Sequence, residues 1–268
     1  MTKLPTESEV SWDTARGLLG PEGRLSIIMP AFNLGPRIKA NIEQVAQTFR
    51  GKIPFEIVAV SDGSHDQTWS EIEKTRAGCP ELIPVNMTEN HGKGHALRQG
   101  FAESTGTHIL FLDADLDLPA YQAAWFFEEM ERSNTDIVIG AKRHPHSELV
   151  YPLKRRIISG AYYLLVRILF GLPVRDTQTG IKLFKRDVLE KVMPRMLVKR
   201  FAFDLELLVI ARHWGYKISE APVVLNFNGP YGCLARQTIR NIMNDTLAIF
   251  YRLNILRYYQ STDSSKAS

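Results

Sequence analysis

Short apolar runs alternate with longer helical patterns through the first half of the chain, and this alternation constrains the fold more than any other feature of the sequence. The runs are apolar on both faces, as expected of parallel strands that helices cover on both sides. We predict strands at 25–32, 55–62, 82–87, 108–115 and 136–142, with helices near 36–49, 66–77, 94–104 and 119–132. The order predicts the α/β class, with a mostly parallel central sheet flanked by helices.

The pattern changes after residue 145. A long helical pattern covers about 152–170, and the turn-rich segment DTQTG (176–180) leads into a short strand, IKLF. A helix is predicted at 204–214, a strand at 217–227 and one more helix near the end. We divide the chain into an N-terminal extension (1–23), one large domain (24–230), an amphipathic C-terminal helix (231–258) and a disordered tail (259–268).

The composition indicates a soluble globular protein, with 44% hydrophobic and 23% charged residues in 268. The two cysteines form no CxxC pair, so we expect reduced thiols. The N-terminus is polar and mixed in charge, so we do not expect a signal peptide. The most apolar run, 157–172, is short and contains Arg167, so it does not predict a transmembrane helix. These features indicate a cytoplasmic location.

The net charge of +4 is unevenly distributed. One segment carries six cations against a single acid, Glu148. The cations are Lys142, Arg143, Lys154, Arg155, Arg156 and Arg167. Such a cluster suits a phosphate group or an anionic membrane surface, and a solvated basic face is the alternative. Nothing in the pattern indicates a nucleic-acid partner.

Polar loops follow the first four predicted strands. They read PAFN (30–33), SDGSHD (61–66), ENHGKG (89–94) and DADLD (113–117). In an open parallel sheet, ligands bind beyond the carboxyl ends of the strands. The first loop lacks GxGxxG, and the GKG at 92–94 lacks the phosphate-binding P-loop frame. The four loops therefore predict a ligand site of another kind at this edge.

Three carboxylates, Asp113, Asp115 and Asp117, occupy alternate positions directly after an apolar run. Clustered carboxylates repel one another unless a cation lies among them. Hard oxygen ligands suit Mg²⁺ or Mn²⁺, which keep open positions for substrate phosphates. Residues two apart on a strand face the same way, so Asp113 and Asp115 can address one site. Solvated acids in a turn are the alternative, but an acid directly against a buried strand favours a metal.

Six motifs occur in order: IIMPAFN, VAVSDGSHD, ENHGKGHALRQG, ILFLDADLDLP, RDTQTGIKLFKRDV and AFDLELLVIA. Together they resemble the GT-A glycosyltransferases of family 2, and among them the polyprenyl (dolichyl) phosphate sugar synthases, over about 24–258. The resemblance implies a GT-A fold, with 24–230 as the catalytic domain. It also implies metal-dependent, inverting transfer of a hexose from UDP-glucose or GDP-mannose to a polyprenyl phosphate. The last two motifs look closest to the dolichyl-phosphate glucose synthases.

The resemblance assigns roles to individual residues. Those implied for nucleotide-sugar binding are Pro30, Ala31, Asn33, Asp62, Lys93, Asp113 and Lys182. Those implied for catalysis are Asp115, Asp204, Gln178 and Arg155. The metal ligands would be Asp113, Asp115 and Asp117, with Asp115 as the principal one. Relatives usually read YNE where this chain has FNL (32–34), and DDGS where it has SDGS (61–64), so the choice between uridine and guanosine stays open.

The acceptor phosphate would be held by cations of the basic segment. The residues implied are Lys142, Arg143, Arg155 and Ser159. Positions 155 and 159 are one helical turn apart, so both can face one phosphate. The last predicted helix combines apolar residues at helical spacing with several arginines. It predicts either peripheral contact with the cytoplasmic face of a membrane or packing on the catalytic domain.

Three other functions are considered. A family 2 transferase acting on a hydroxyl of a glycan would need a base, and Asp204 or Glu206 would supply it. Their structural alternative is a helix cap and a helix-face acid. A nucleotidyltransferase would need a glycine-rich basic loop after the first strand, which PAFNLGPRI does not provide. A non-catalytic nucleotide-sugar sensor is disfavoured by the intact acids. The sequence leaves the sugar, the lipid length and the oligomeric state open.

Overall fold

A computed structural model describes residues 4–147, 153–199, 202–225 and 236–260, with the backbone alone at 153–159 and 236–239. Within these residues, seven strands form one sheet in the order β3-β2-β1-β4-β6-β5-β7. The strands are β1 (Leu25–Ala31), β2 (Phe55–Asp62), β3 (Leu82–Met87), β4 (His108–Leu112), β5 (Ile137–Gly140), β6 (Ile181–Lys185) and β7 (Ile218–Ala221).

Helices flank the sheet. They are α1 (Asp13–Leu19), α2 (Gly35–Phe49), α3 (Thr68–Arg76), α4 (Lys93–Glu103), α5 (Ala123–Ser133), α6 (Leu153–Phe170), α7 (Arg186–Val192), α8 (Phe203–His213) and α9 (Arg236–Asn254). Short 3₁₀ turns lie at Ala120–Gln122 and Met193–Arg195. Each predicted helix and strand is present with ends shifted by a few residues, except that the strand predicted at 217–227 ends at Ala221; residues 226 and 227 lie outside the described residues. The sequence did not predict α1 or α7.

The sheet is parallel except for one strand. β1 pairs in parallel with β2 and β4, whereas β6 runs antiparallel to both β4 and β5. The predicted α/β class with a mostly parallel sheet is therefore confirmed. Because β6 is reversed, the residues before it lie at the same edge as the carboxyl end of β4. The backbone N–H of Asp113 donates to the Gly180 carbonyl at 2.9 Å, which places DTQTG beside DADLD.

Alternate residues of the central strands supply two separate cores. Ile27 of β1 packs in the core that α2 and α5 cover, and Ile28 packs in the core that α4 and α8 cover. Fully burying such a side chain contributes roughly 1.5–3 kcal/mol. The sheet is therefore fixed on both faces, and its carboxyl edge is a rigid platform.

Both ends of the described chain pack on this body. Trp12 lies edge-on to Phe49, with ring centroids 5.0 Å apart, so the predicted N-terminal extension contributes to the core. Tyr259 is fully buried, and its carbonyl accepts a hydrogen bond from Trp214 Nε1 at 2.7 Å. The packed region thus extends past the boundary predicted at 258, while 261–268 and the predicted junction at 230–231 lie outside the described residues. Within the part of the chain that the structure describes, no helix is both long and apolar enough to cross a bilayer.

Candidate functional site

The first two loops of the carboxyl edge are joined through Asn33. Its backbone N–H donates to Ser64 Oγ at 3.1 Å, and its Oδ1 accepts the backbone N–H of His65 at 3.0 Å. Asn33 has a φ of 52°, a left-handed conformation that asparagine tolerates better than most residues. Pro30 and Ala31 end β1 directly before this turn, and Ala31 is buried. Pro30, Ala31 and Asn33, which were predicted to bind the nucleotide sugar, thus form one ordered unit with the loop after β2.

Asp62, at the end of β2, holds the loop before α4. Only 3% of the residue is exposed. Its Oδ1 accepts the backbone N–H of His91, and its Oδ2 accepts that of Gly92, both at 3.0 Å. Asp62 was predicted to bind the nucleotide, and its role in positioning this loop was not predicted. Its contact with a nucleotide remains a prediction.

Lys93 begins α4 and reaches the end of β4. Its Nζ lies 2.5 Å from Asp113 Oδ1. Burial alone would lower the pKa of Lys93, but the negative charges of Asp113 and Asp204 outweigh it and raise the pKa above its usual value. A Cβ on Gly94 would lie 2.5 Å from the ring of Phe203, so α4 and α8 meet closely here. Lys93 is therefore a fixed cation at the centre of the edge.

The three carboxylates after β4 differ in their surroundings. A Cβ on Gly180 would lie 2.2 Å from Asp113 Oδ2, so this carboxylate rests directly on the backbone of the DTQTG segment. Asp115 is exposed, and its Oδ1 accepts the backbone N–H of Asp117 at 3.2 Å. Desolvation by neighbouring groups, followed by the negative charges of Asp113 and Asp117, raises the pKa of Asp115. A cation beside Asp115 would relieve this repulsion.

The predicted metal ligands Asp113, Asp115 and Asp117 remain a prediction. Among the described residues, no three His, Cys, Asp or Glu side chains lie close enough together to hold a metal ion. β4 ends at Leu112 and the backbone turns at Leu116, which has a φ of 54°, so all three acids lie in the loop after the strand. The hard oxygens of Asp113 and Asp115 still fit Mg²⁺ or Mn²⁺, because such ions take one or two carboxylates and complete their coordination with substrate phosphates.

A buried ion pair lies behind this edge. Lys182 is 2% exposed, and its Nζ lies 2.9 Å from Asp204 Oδ1 in the first turn of α8. The same Nζ donates to the carbonyl of Thr179. Burial lowers the pKa of Lys182, and the charge of Asp204 offsets this in part. Asp204, predicted as a catalytic residue, is therefore already engaged by a cation.

Apart from Asp204 Oδ1, which is paired with Lys182, three buried polar atoms of this region have no hydrogen-bond partner among the described residues: Ser61 Oγ, Gln178 Nε2 and Thr179 Oγ1. Leaving such groups unsatisfied costs about 1–3 kcal/mol each, so their presence at one edge makes them candidates for contacts with a ligand. Gln178 was predicted from the sequence. Ser61 and Thr179 were not predicted, although they lie in the motifs VAVSDGSHD and RDTQTGIKLFKRDV.

Glu206 lies on α8 two residues after Asp204 and is fully buried. It accepts hydrogen bonds from the backbone N–H groups of Leu197 and Val198 and from the side chains of Arg252 and Tyr259. These partners favour the structural alternative over the role of a base.

The predicted acceptor residues are described in part. Lys142 is partly exposed after β5. The Arg143 guanidinium lies 5.7 Å from the Tyr163 ring centroid, and a Cβ on Gly160 would lie 3.2 Å from its terminal nitrogen, so Arg143 runs along α6. The side chains of Arg155 and Ser159 lie outside the described residues, and their roles remain predictions.

The helices α6 and α9 pack together and share an apolar surface. Tyr162 Oη lies 3.1 Å from Thr246 Oγ1, and the rings of Phe170 and Phe250 are 6.2 Å apart. Most of the large hydrophobic residues exposed in the described structure belong to these helices or follow α9. We call them the outer face: Leu164, Ile168, Leu247, Tyr251, Ile255, Leu256 and Tyr258.

Comparisons with known proteins identify the family of this chain. The family model described as Glycosyl transferase family 2 matches residues 26–193. A dolichyl-phosphate beta-glucosyltransferase of Trichomonas vaginalis is 32% identical over 213 residues, which cover 75% of this chain and 65% of the relative. A dolichyl-phosphate beta-glucosyltransferase of Drosophila melanogaster is 31% identical over 218 residues, covering 76% and 67%. The chain thus spans about two thirds of the length of these relatives.

A solved structure supports the fold. Glucosyl-3-phosphoglycerate synthase of Mycobacterium tuberculosis, in complex with Mn²⁺, UDP-glucose and phosphoglyceric acid, superposes with a TM-score of 0.66 at 15% identity. The superposition covers 98% of this chain and 87% of that chain. The expected GT-A fold and the resemblance to the family are confirmed.

Proposed function

The chain belongs to glycosyl transferase family 2 and is a glycosyltransferase, and on this basis we propose that it transfers glucose from UDP-glucose to a polyprenyl phosphate. The observation that carries the proposal is the charged cluster at the carboxyl edge, in which Lys93 pairs with Asp113 beside the exposed Asp115. The two relatives are named for glucose transfer to dolichyl phosphate, so glucose is favoured over mannose and UDP-glucose is the donor that we propose.

The donor diphosphate would lie at this cluster. Mg²⁺ or Mn²⁺ held by Asp115 and Asp113 would neutralise the charge that develops on the departing diphosphate. Lys93, which is paired with Asp113, adds a second positive charge at this edge. Ser61, Gln178 and Thr179 offer buried polar atoms that lack partners among the described residues, and these suit the hydroxyl and phosphate groups of a nucleotide sugar.

A phosphate acceptor explains why the candidate bases are already occupied. A lipid phosphate is ionised at neutral pH and attacks without a general base, whereas a glycan hydroxyl needs one. Asp204 is paired with Lys182, and Glu206 is surrounded by hydrogen-bond donors. Single displacement at the anomeric carbon inverts its configuration and gives a β-linked product. Lys142 and Arg143 would hold the acceptor phosphate, and the predicted roles of Arg155 and Ser159 in binding it remain part of the proposal.

The outer face suits peripheral contact with an anionic membrane on the cytoplasmic side. Its apolar side chains are exposed, and three exposed cations accompany them on the same helices and the turn after α9: Arg167, Arg240 and Arg257. An apolar face with flanking cations binds bilayers by burying apolar area and by attraction to anionic lipid. Such contact would bring the enzyme to an acceptor that resides in the membrane.

Vesicle sedimentation tests this docking. Vesicles containing phosphatidylglycerol should bind the protein, and pure phosphatidylcholine vesicles should bind it several-fold less. Arg240→Ser should weaken binding to the anionic vesicles, while Lys39→Ser, which removes an exposed cation from α2, should leave it unchanged. Equal effects of the two substitutions would count against a docking surface on α9.

Transfer itself is tested with labelled donors in separate reactions. The protein is incubated with Mg²⁺ or Mn²⁺, a polyprenyl phosphate and either labelled UDP-glucose or labelled GDP-mannose, and the organic phase is counted. We expect lipid-soluble label from UDP-glucose. Label from GDP-mannose alone would overturn the donor assignment, and nucleotide release without lipid label would favour a glycan acceptor.

A further inference from the structure

Glu206 is a buried acid that the proposed chemistry does not use. Its Oε2 accepts the backbone N–H groups of Leu197 and Val198 at 2.9 and 2.7 Å. Its Oε1 accepts Arg252 Nη1 at 3.3 Å and the hydroxyl of Tyr259. A buried carboxylate is expensive unless it is paired and hydrogen-bonded, and here both oxygens are satisfied by donors from two distant parts of the chain.

One part is the loop at 196–199, which is tied to α4. The carbonyl of Met196 accepts a hydrogen bond from Arg98 at 2.9 Å. The carbonyl of Lys199 accepts the backbone N–H of His95 at 3.2 Å. His95 lies in the first turn of α4, two residues after Lys93, which pairs with Asp113. The loop therefore connects Glu206 to the cation at the centre of the site.

The other part is the C-terminal segment 252–259. Arg252 lies near the end of α9, and Tyr259 is fully buried. The carbonyl of Tyr259 also accepts a hydrogen bond from Trp214 Nε1, directly after α8. This segment therefore contacts α8 near both of its ends, through Glu206 and through Trp214.

Helical geometry separates the two acids of α8. Positions 204 and 206 are about 200° apart around the helix axis. Asp204 faces Lys182 behind the catalytic edge, and Glu206 faces the loop at 196–199 and the C-terminal segment. A displacement of Glu206 would rotate the first helical turn of α8 and would displace Asp204 as well.

We propose that Glu206 is a positioning residue that couples the C-terminal segment 252–259 to the catalytic edge, by fixing the first turn of α8 and the loop that supports α4. The segment thereby completes the active site in addition to packing on it. The kinetic part of this inference rests on the proposed function, whereas the structural part does not.

Two variants test the coupling kinetically. Glu206→Gln removes the charge that accepts four donors, and we expect kcat/KM for UDP-glucose to fall by about tenfold or more. Tyr259→Phe removes one hydroxyl at the far end of the coupling and should lower kcat/KM by a smaller factor of about threefold, in a protein that still folds.

Glu56 provides the matched control. It is 4% exposed and accepts hydrogen bonds from Ser26 and from both the N–H and the hydroxyl of Thr105, at the opposite edge of the sheet. Glu56→Gln should lower the melting temperature as Glu206→Gln does, yet leave kcat/KM per folded molecule within about twofold of wild type. Equal kinetic effects of the two glutamine variants would overturn the proposal.

Hydrogen–deuterium exchange gives a readout independent of turnover. Tyr259→Phe should speed amide exchange in segments 91–98 and 196–199, while Glu56→Gln should not. Unchanged exchange in both segments would overturn the coupling. If the wild-type protein transfers no sugar to any acceptor, the proposed function fails and the exchange result still decides on Glu206.

Discussion

Replacing Lys182 with methionine removes the cation that neutralises Asp204 inside the molecule. The two charges lie 2.9 Å apart, and their side chains are only 2% and 8% exposed. Methionine has a similar length and no charge, so the core remains filled. Asp204 must then be buried without a cation in contact, near only the charge of Lys93, or take up a proton, and both choices destabilise the native state.

Protonation of Asp204 is the less costly of the two choices, and it sets the expected loss of unfolding free energy. Protonating an ordinary aspartate, whose pKa is about 3.9, costs about 4 kcal/mol at pH 7 and about 1.5 kcal/mol at pH 5. Lys182→Met should therefore lower the free energy of unfolding by about 4 kcal/mol at pH 7, in line with the roughly 3–5 kcal/mol typical of a broken buried pair. This loss of unfolding free energy should be less than half as large at pH 5. Urea unfolding followed by circular dichroism at both pH values measures it.

Lys185 on the same strand is the matched control. It pairs with Asp136 at 3.0 Å, but both side chains are partly exposed, at 35% and 26%. Lys185→Met should cost less than about 1 kcal/mol, with little difference between the two pH values. If Lys182→Met cost no more than Lys185→Met, or if its deficit were the same at pH 7 and pH 5, the buried pair would not hold Asp204 as described.

Three further outcomes follow from the geometry. Asp115→Ala should abolish transfer at any metal concentration while leaving the circular dichroism spectrum unchanged, and residual turnover above about 1% of wild type would contradict its role. Gly180→Ala should lower kcat at least tenfold, because the added Cβ would lie 2.2 Å from Asp113 Oδ2, whereas Gly78→Ala, with no atom within 4 Å, should match wild type in a steady-state assay. Burial lowers the pKa of His108 to about 4. Unfolding releases this ring to bind a proton near pH 6.5, so stability should fall by up to about 3 kcal/mol between pH 6.5 and pH 4. His108→Phe should reduce that slope in urea titrations, and an unchanged slope would contradict the assignment.

The sheet and its catalytic edge could be predicted because their signals are local. A parallel strand buried on both faces reads as a continuous apolar run, and the loop after it reads as a polar cluster. This is why PAFN, SDGSHD, ENHGKG and DADLD could be assigned to one edge from the amino-acid pattern alone. The reversed direction of β6 was not predicted, because strand direction depends on how the chain returns across the sheet.

The contacts of the acids could not be predicted, because they join residues far apart in the chain. Asp62 binds amides about 30 residues later, and Glu206 binds a hydroxyl 53 residues later. A sequence pattern shows a carboxylate and a helix position, but it does not show which donors surround them. The same limit applies to Asp113, Asp115 and Asp117, which lie in the loop after β4 with a left-handed turn at Leu116.

The outer face could be predicted from the sequence only in part. The apolar spacing of α9 was visible in the sequence, and two explanations for it stayed open. The structure uses one side of the helix for packing, since Ile249 is fully buried, and leaves the side that carries Leu247 and Tyr251 exposed. Packing on the domain therefore accounts for one side of the helix, and membrane contact of the other side remains a proposal.

The formation of a sugar–phosphate bond to the lipid tests the central claim most directly. The protein is incubated with Mn²⁺, UDP-glucose labelled in the sugar and a polyprenyl phosphate labelled in the phosphate, and the lipid product is isolated and its anomeric configuration determined. We predict one lipid that carries both labels in equal amounts and is β-linked. A sugar label that never joins the labelled phosphate, or a product with the α configuration, would contradict the account.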